Sequence, residues 1–335
     1  MPKMAWSWFR GRWSARPVLA LLLLLVVLLL LLRGLWPPQP PTRLAITSFP
    51  PYNYFYLATR VPQAGDDRLK LVLRQYSSLE DQRRAFEQGA VDAIATTLPE
   101  ALAICQEAPE RCPQIVLVLD ESAGADQLVS QASIVHPQDL KGRRVGLEHS
   151  VLAEYILLRS LEGSEVGLKE LVLRYRGPQE LVEELRRGEL DAVVSYAPYV
   201  SQLQGDPRFR VLFDSRQMPG EVVDVLAVEP GFARRHPQQV TALIRSWWAA
   251  RAYAADHPSE SVALMAKREQ ITPQDFLAFE ALVRYPGPAE QHTLLSPQGP
   301  LQRALQRMAR QMQQADRVRS APALPSSRAD YLPVP

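Results

Sequence analysis

The residues able to do chemistry in this sequence are hydroxyls, aromatic rings and carboxylates that stand directly after short apolar runs. Phe49 and Tyr52 follow residues 44–47, Ser78 follows 71–74, and Thr97 follows 91–95. In the next stretch Glu148 and Ser150 follow 144–147, Tyr196 follows 190–194, and Asp126 ends the glycine-containing segment 120–126. Together they suit recognition of a small molecule by contact rather than bond making. Tyr52 can stack on a planar solute or donate its hydroxyl, with core packing as the rival reading, and Phe49, lacking a polar handle, leans toward packing. Ser78 and Thr97 offer hydroxyls that serve equally well as helix caps. Ser150 opens a helix, where free N–H groups and the dipole attract an anion, and an ordinary N-cap uses the same geometry. Asp126 suits an amine or amide, or a turn; Glu148 suits a cation or amide contact, or a solvated charge. Tyr196 enters because its position matches that of Thr97 in a repeat described next. Asp92 and Asp191 begin strands away from this mouth and read as structural.

The elements that must position these residues emerge from self-comparison. Residues 71–74 (Leu-Val-Leu-Arg) recur as 171–174, and Gly89-Ala90-Val91-Asp92-Ala93 has its counterpart in Gly188-Glu189-Leu190-Asp191-Ala192, with an offset of 99 to 100 residues. Each half reads strand, helix, strand, helix, strand, with Gly89 and Gly188 as the left-handed residues that end the second helices. The expectation is an α/β chain with two open parallel sheets, whose ligands bind beyond the carboxyl ends of the strands, in a cleft between lobes. A returning strand at 222–228 and helices at 237–256, 259–267, 273–283 and 300–317 are expected to pack on the first lobe. That gives lobe one as 44–126 plus 222–335 and lobe two as 127–221, joined by two crossing strands that act as the hinge.

The chain of 335 residues carries 38 basic and 36 acidic side chains. Up to residue 43 there are six basic residues and no acid, so the remainder is mildly acidic, which argues against nucleic acid as a partner. Residues 18–32 are an unbroken run of Val, Leu and Ala, preceded by a basic segment 1–17 and followed by Arg33 and Trp36. The run reads as a membrane anchor over 18–36, with a cleaved signal segment as the alternative. Excess basic residues on the N-terminal side place the body outside the inner membrane, beyond a proline-rich linker at 37–43. Cys105 and Cys112 can close a small disulfide loop in an oxidising compartment, the alternative being two unrelated thiols. There is no C-x-x-C, G-x-S-x-G, H-E-x-x-H, P-loop or dinucleotide turn, and the five histidines are scattered, so no catalytic residue, metal site or cofactor is expected. No Arg falls among the predicted lining residues, which disfavours a plain inorganic anion and favours a neutral or amine-bearing organic solute.

Several segments, in order, resemble the periplasmic solute-binding proteins of the nitrate, sulfonate, taurine and thiamin-pyrimidine importers, the NMT1/THI5-like family. They are 49–58 (Phe-Pro-Pro-Tyr-Asn-Tyr-Phe-Tyr-Leu-Ala), 89–93, 97–102, 120–126, 139–146 and 213–215 with 219–226. Phe49 and Pro51 stand where the family usually has Trp and Gly. The resemblance implies the type II periplasmic binding protein fold and delivery of a small solute to an ABC permease and its ATPase on the extracytoplasmic side of the membrane. An enzyme of the thiamin-pyrimidine branch is the weaker alternative, because its cysteine-rich motif is absent. A membrane-tethered sensor or adaptor with the same fold is the other.

Overall fold

The computed structural model describes residues 40–66, 69–317 and 323–333. The anchor at 18–36, the basic segment 1–17 and the start of the linker lie outside the described residues. Among the described residues no helix is long and apolar enough to cross a membrane.

The chain begins with β1 (Thr42–Ile46), α1 (Asn53–Arg60), β2 (Leu71–Gln75), α2 (Leu79–Glu87), β3 (Ala93–Thr97), α3 (Leu98–Glu107) and β4 (Gln114–Ser122). It continues with β5 (Asp126–Gln131), β6 (Arg144–Leu147), α4 (Val151–Ser160), β7 (Val172–Tyr175), α5 (Pro178–Arg186), β8 (Ala192–Tyr196) and β9 (Phe209–Asp214). It ends with β10 (Val223–Val228), α6 (Pro230–Arg235), α7 (Pro237–Asp256), α8 (Pro258–Glu269), α9 (Pro273–Glu280), β11 (Val283–Arg284), α10 (Pro288–Leu294), α11 (Pro300–Gln314) and β12 (Ser326–Ser327).

Two sheets result, ordered β11-β4-β10-β3-β1-β2 with β12 beside β4, and β7-β6-β8-β5-β9. The duplication seen in the sequence is visible in the pairing: β1 lies parallel between β2 and β3, and β6 lies parallel between β7 and β8. Gly89 and Gly188 follow α2 and α5 with φ of 76° and 73°, a conformation that costs a Cβ-bearing residue energy and glycine almost none. Even an ion pair is repeated. Asp92 accepts from the Arg43 backbone N–H (2.9 Å) and its guanidinium (2.7 and 3.0 Å), and Asp191 does the same with Arg144 (2.8, 2.9 and 3.1 Å).

The sheets differ from the expected parallel arrangement: β10 runs antiparallel to β3 and β4, and β5 runs antiparallel to β8 and β9. The reason is topological. A strand arriving from the other lobe enters its sheet at the cleft end, so it runs against strands that finish there. The crossings also differ from continuous strands. One is a bend at 123–125, and the other contains the single helical turn Ser215–Gln217 before β10. They are tied together, because the Ser122 and Ser215 hydroxyls lie 2.7 Å apart and the Gly124 N–H donates to Ser215 Oγ at 2.7 Å.

Apolar packing joins the lobes beside the cleft. Leu98 and Leu102 of α3, Ile156 and Leu157 of α4, and Leu305 and Met308 of α11 belong to one buried cluster. Each such side chain contributes about 1.5–3 kcal/mol on burial. Exposed pairs such as His149–Glu80 and Lys169–Asp316 are screened by solvent and contribute little, so the seam dominates. A second cluster, with Phe55, Leu57 and Trp247, packs α1 and α7 against the first sheet. The tail contributes β12 and a buried Tyr331, whose carbonyl accepts from Thr241 Oγ1 at 3.0 Å. Cys105 and Cys112 are joined by a disulfide that closes the loop between α3 and β4.

Candidate functional site

The strands of both sheets that finish at the cleft deliver side chains to one cavity of about 160 Å³. After β1 the chain turns through Pro50–Tyr52, a single helical turn whose opening prolines preset φ. Asn53 Nδ2 clamps this turn by donating to the carbonyls of Phe49 (3.2 Å) and Pro50 (3.1 Å) and to Glu269 Oε1 (2.7 Å). Phe49 thereby meets Tyr52 edge-on at 5.1 Å and reaches Tyr196 of the opposite lobe at 6.0 Å. Tyr196 in turn packs edge-on against Tyr199 at 5.3 Å.

Phe49, Tyr52, Ser78, Thr97, Asp126, Glu148, Ser150 and Tyr196 all lie on the wall of this one cavity. Ser78, Thr97 and Ser150 are also N-caps, accepting from the N–H groups of Asp81 (3.1 Å), Glu100 (3.5 Å) and Ala153 (3.1 Å). The expected anion seat at the start of α4 is occupied by the chain itself. Glu100 reaches over from α3, and its Oε1 accepts from the Val151 N–H at 2.6 Å while Oε2 meets the Arg83 guanidinium at 3.0 Å. The helix dipole that would favour a bound anion already has a carboxylate at its end.

Sequence reasoning missed the residues with the strongest electrostatic effect. Asp120 and Asp224 stand opposite each other in the β4–β10 register, with Asp224 also opposite Thr97 on β3, and both aspartates line the cavity. The signal was a lone acid in each of two otherwise apolar runs, 115–120 and 222–228. An acid is rarely fully buried without a purpose or a partner. Burial pushes both carboxyls well above the usual range, Asp120 further through the charge of Asp224, and Asp224 further through Asp126. Burial raises Asp126 to about 6, partly offset by the Ser122 hydroxyl, and raises Glu148 to about 7, with Asp126 and Glu100 adding to the effect. The Tyr52 hydroxyl, facing Asp224, is held well above its ordinary value by burial and by these acids. Among the described residues lining the cavity there is no Arg, Lys or His.

Two polar atoms there lack any partner. Asp120 Oδ2 and Ser195 Oγ are buried without a hydrogen bond, on residues only 2% and 4% exposed. A buried orphan of this kind costs about 1–3 kcal/mol, more when charged, unless something fills the space beside it. The cavity between them is therefore shaped to be filled.

A family model described as NMT1/THI5 like matches residues 66–261. The taurine-binding periplasmic protein of Escherichia coli (strain K12) is 30% identical over 179 residues, which cover 49% of this chain and 54% of the relative. The match thus spans about half the length of that curated relative. Among solved structures, the alkanesulfonate-binding protein SsuA from Xanthomonas axonopodis pv. citri, bound to MOPS, superposes with a TM-score of 0.67 at 16% identity, covering 84% of this chain and 95% of that one. The desulfurization enzyme DSZB superposes with a TM-score of 0.57 at 16% identity, over 85% of this chain and 95% of that one. The two-lobed α/β architecture is therefore that of periplasmic binding proteins, and it also carries an enzyme, so the fold alone leaves the activity to the site.

Proposed function

The chain belongs to the NMT1/THI5-like family, and on that premise we propose that it is an extracytoplasmic solute-binding protein that captures a small organic solute between its lobes and delivers it to an ABC permease and its ATPase. Residues 18–36 tether it to the inner membrane, 37–43 space it from the surface, and 127–221 form the lobe that moves against 44–126 and 222–335. The observation that carries this reading is the cavity between the lobes, with Asp120 Oδ2 and Ser195 Oγ unpartnered in its wall. The names of the relatives, a taurine-binding and an alkanesulfonate-binding protein, set the first solutes to try.

The test is thermal unfolding of the purified full chain against sulfonates, nitrate, amines, pyrimidines and amino acids. A solute at a hundred times its dissociation constant stabilises the folded state by about 2.7 kcal/mol. The expected result is a rise in unfolding temperature with one chemical class, lost in Tyr52→Ala. A folded, ligand-free protein that responds to none of them overturns the reading.

A further inference from the structure

Resting on the solute-receptor reading, we infer that the solute is an organic cation without an acid group, its amine or amidinium N–H donors held by Asp120 and Asp224 with Ser195 across the cleft. Charge balance leads there first. Asp120, Asp126, Asp224 and Glu148 line the cavity, and no basic side chain among the described residues lines it with them. Beyond the wall, Glu280 adds negative charge on the side of α9, and Arg251 of α7, stacked 4.1 Å from the Tyr285 ring, is a cation acting on Asp120. Glu100 and Glu269, which act on Glu148 and Tyr196, bring their own cations, Arg83 at 3.0 Å and Arg268 at 3.7 Å, and leave that balance unchanged.

Orphaned atoms supply the second observation. Asp120 Oδ2 needs a donor, and Ser195 Oγ can give or take a hydrogen bond, so a group rich in N–H donors completes both. The acids sit on different strands. Among the described residues no group of His, Cys, Asp or Glu converges closely enough to hold a metal ion. Donors spread along an organic molecule meet such a layout better than a point charge does.

The third observation concerns the acid group of a sulfonate or carboxylate solute. Its natural seat, the first turn of α4, is filled by Glu100. An anion there would have to displace a fully buried carboxylate from both a backbone N–H and Arg83, and would then face the remaining acids.

Binding of a cation favours the ionised carboxylates, so it releases protons and tightens as pH rises through the range where Asp126 and Glu148 titrate, about 6 to 7. The experiment is isothermal titration of the full chain at pH 5.5 and 8.0 with 1,4-diaminobutane, agmatine, taurine, methanesulfonate and pyrimidine. The expected result is binding of a diamine or agmatine, at least tenfold tighter at pH 8.0, with methanesulfonate silent. Asp120→Asn and Asp224→Asn should each weaken it roughly a hundredfold, the cost of removing one partner of a buried charge pair, while their urea midpoints stay at or above wild type. Tight binding of taurine, methanesulfonate or pyrimidine with silence from the cations overturns the cation assignment and leaves the receptor reading standing. Silence from all five, in protein whose urea transition is cooperative, overturns both.

Discussion

The two ends of the sheets treat acidic residues in opposite ways. At the end away from the cleft, Asp92 and Asp191 are each gripped by an arginine through side chain and backbone, and the Arg144 hydrogen bonds hold the Asp191 carboxyl below its usual range. At the cleft end, Asp120, Asp126, Asp224 and Glu148 are raised by burial and have no basic neighbour on the cavity wall. Glu100 stands between the two, since burial raises its carboxyl and yet it is paired with Arg83 and the start of α4. The difference teaches where structure ends and binding begins. A compensated acid stabilises the fold, and an uncompensated one holds a place for something else.

The sharpest way to break this comparison is to remove a compensated acid. Glu100→Ala leaves Arg83 half-buried without its deeper partner and the Val151 N–H unpaired, so the urea midpoint should fall by the equivalent of about 3 kcal/mol. A neutral result would place Glu100 with the cavity acids instead. Asp191→Asn should cost less, because the partner guanidinium is exposed and solvent weakens the pair. Solute affinity should be untouched by Asp191→Asn. An affinity loss there would mean the two strand ends are not independent.

A further expected effect is on the unliganded protein and concerns pH. The folded carboxyls of Asp126 and Glu148 titrate at about 6 and about 7, above their unfolded values near 4. Between those limits the folded state holds more protons than the unfolded one, so stability declines as pH rises from about 4 to about 7. Asp126→Asn should flatten the part of that decline that Asp126 contributes, between about 4 and about 6, read from urea midpoints across the range. An unchanged slope would show that Asp126 is not uncompensated.

Much of the fold was legible because duplication leaves a mark that local propensity cannot counterfeit. The recurrence of Leu-Val-Leu-Arg and of Gly-x-x-Asp-Ala at an offset of 99 to 100 residues marked β2 with β7 and β3 with β8, and the repeated Asp92 and Asp191 proved to be repeated ion pairs. The direction of β5 and β10 was not legible, because it depends on which end of the sheet the chain enters after crossing between lobes. The rule that ligands sit beyond strand carboxyl ends led to Phe49, Tyr52, Thr97 and Tyr196, each a few residues at most from the end of its own strand. It did not lead to Asp120 or Asp224, which lie within strands and reach the cavity only because β4 and β10 are neighbours in the sheet. Ser150 was correctly placed at a helix start, yet its anion seat was filled by a residue 50 positions earlier.

By itself the sequence determined the periodic elements, the two-lobed repeat and the class of residue facing the cleft, since these depend on short-range pattern and on spacing along the chain. Only the tertiary structure decided the charge of the cavity. A carboxylate is a binding group or a structural one according to whether a cation stands within a few ångströms of it, and that neighbour is brought by other strands and helices, 49 residues away for Asp92 and 47 for Asp191.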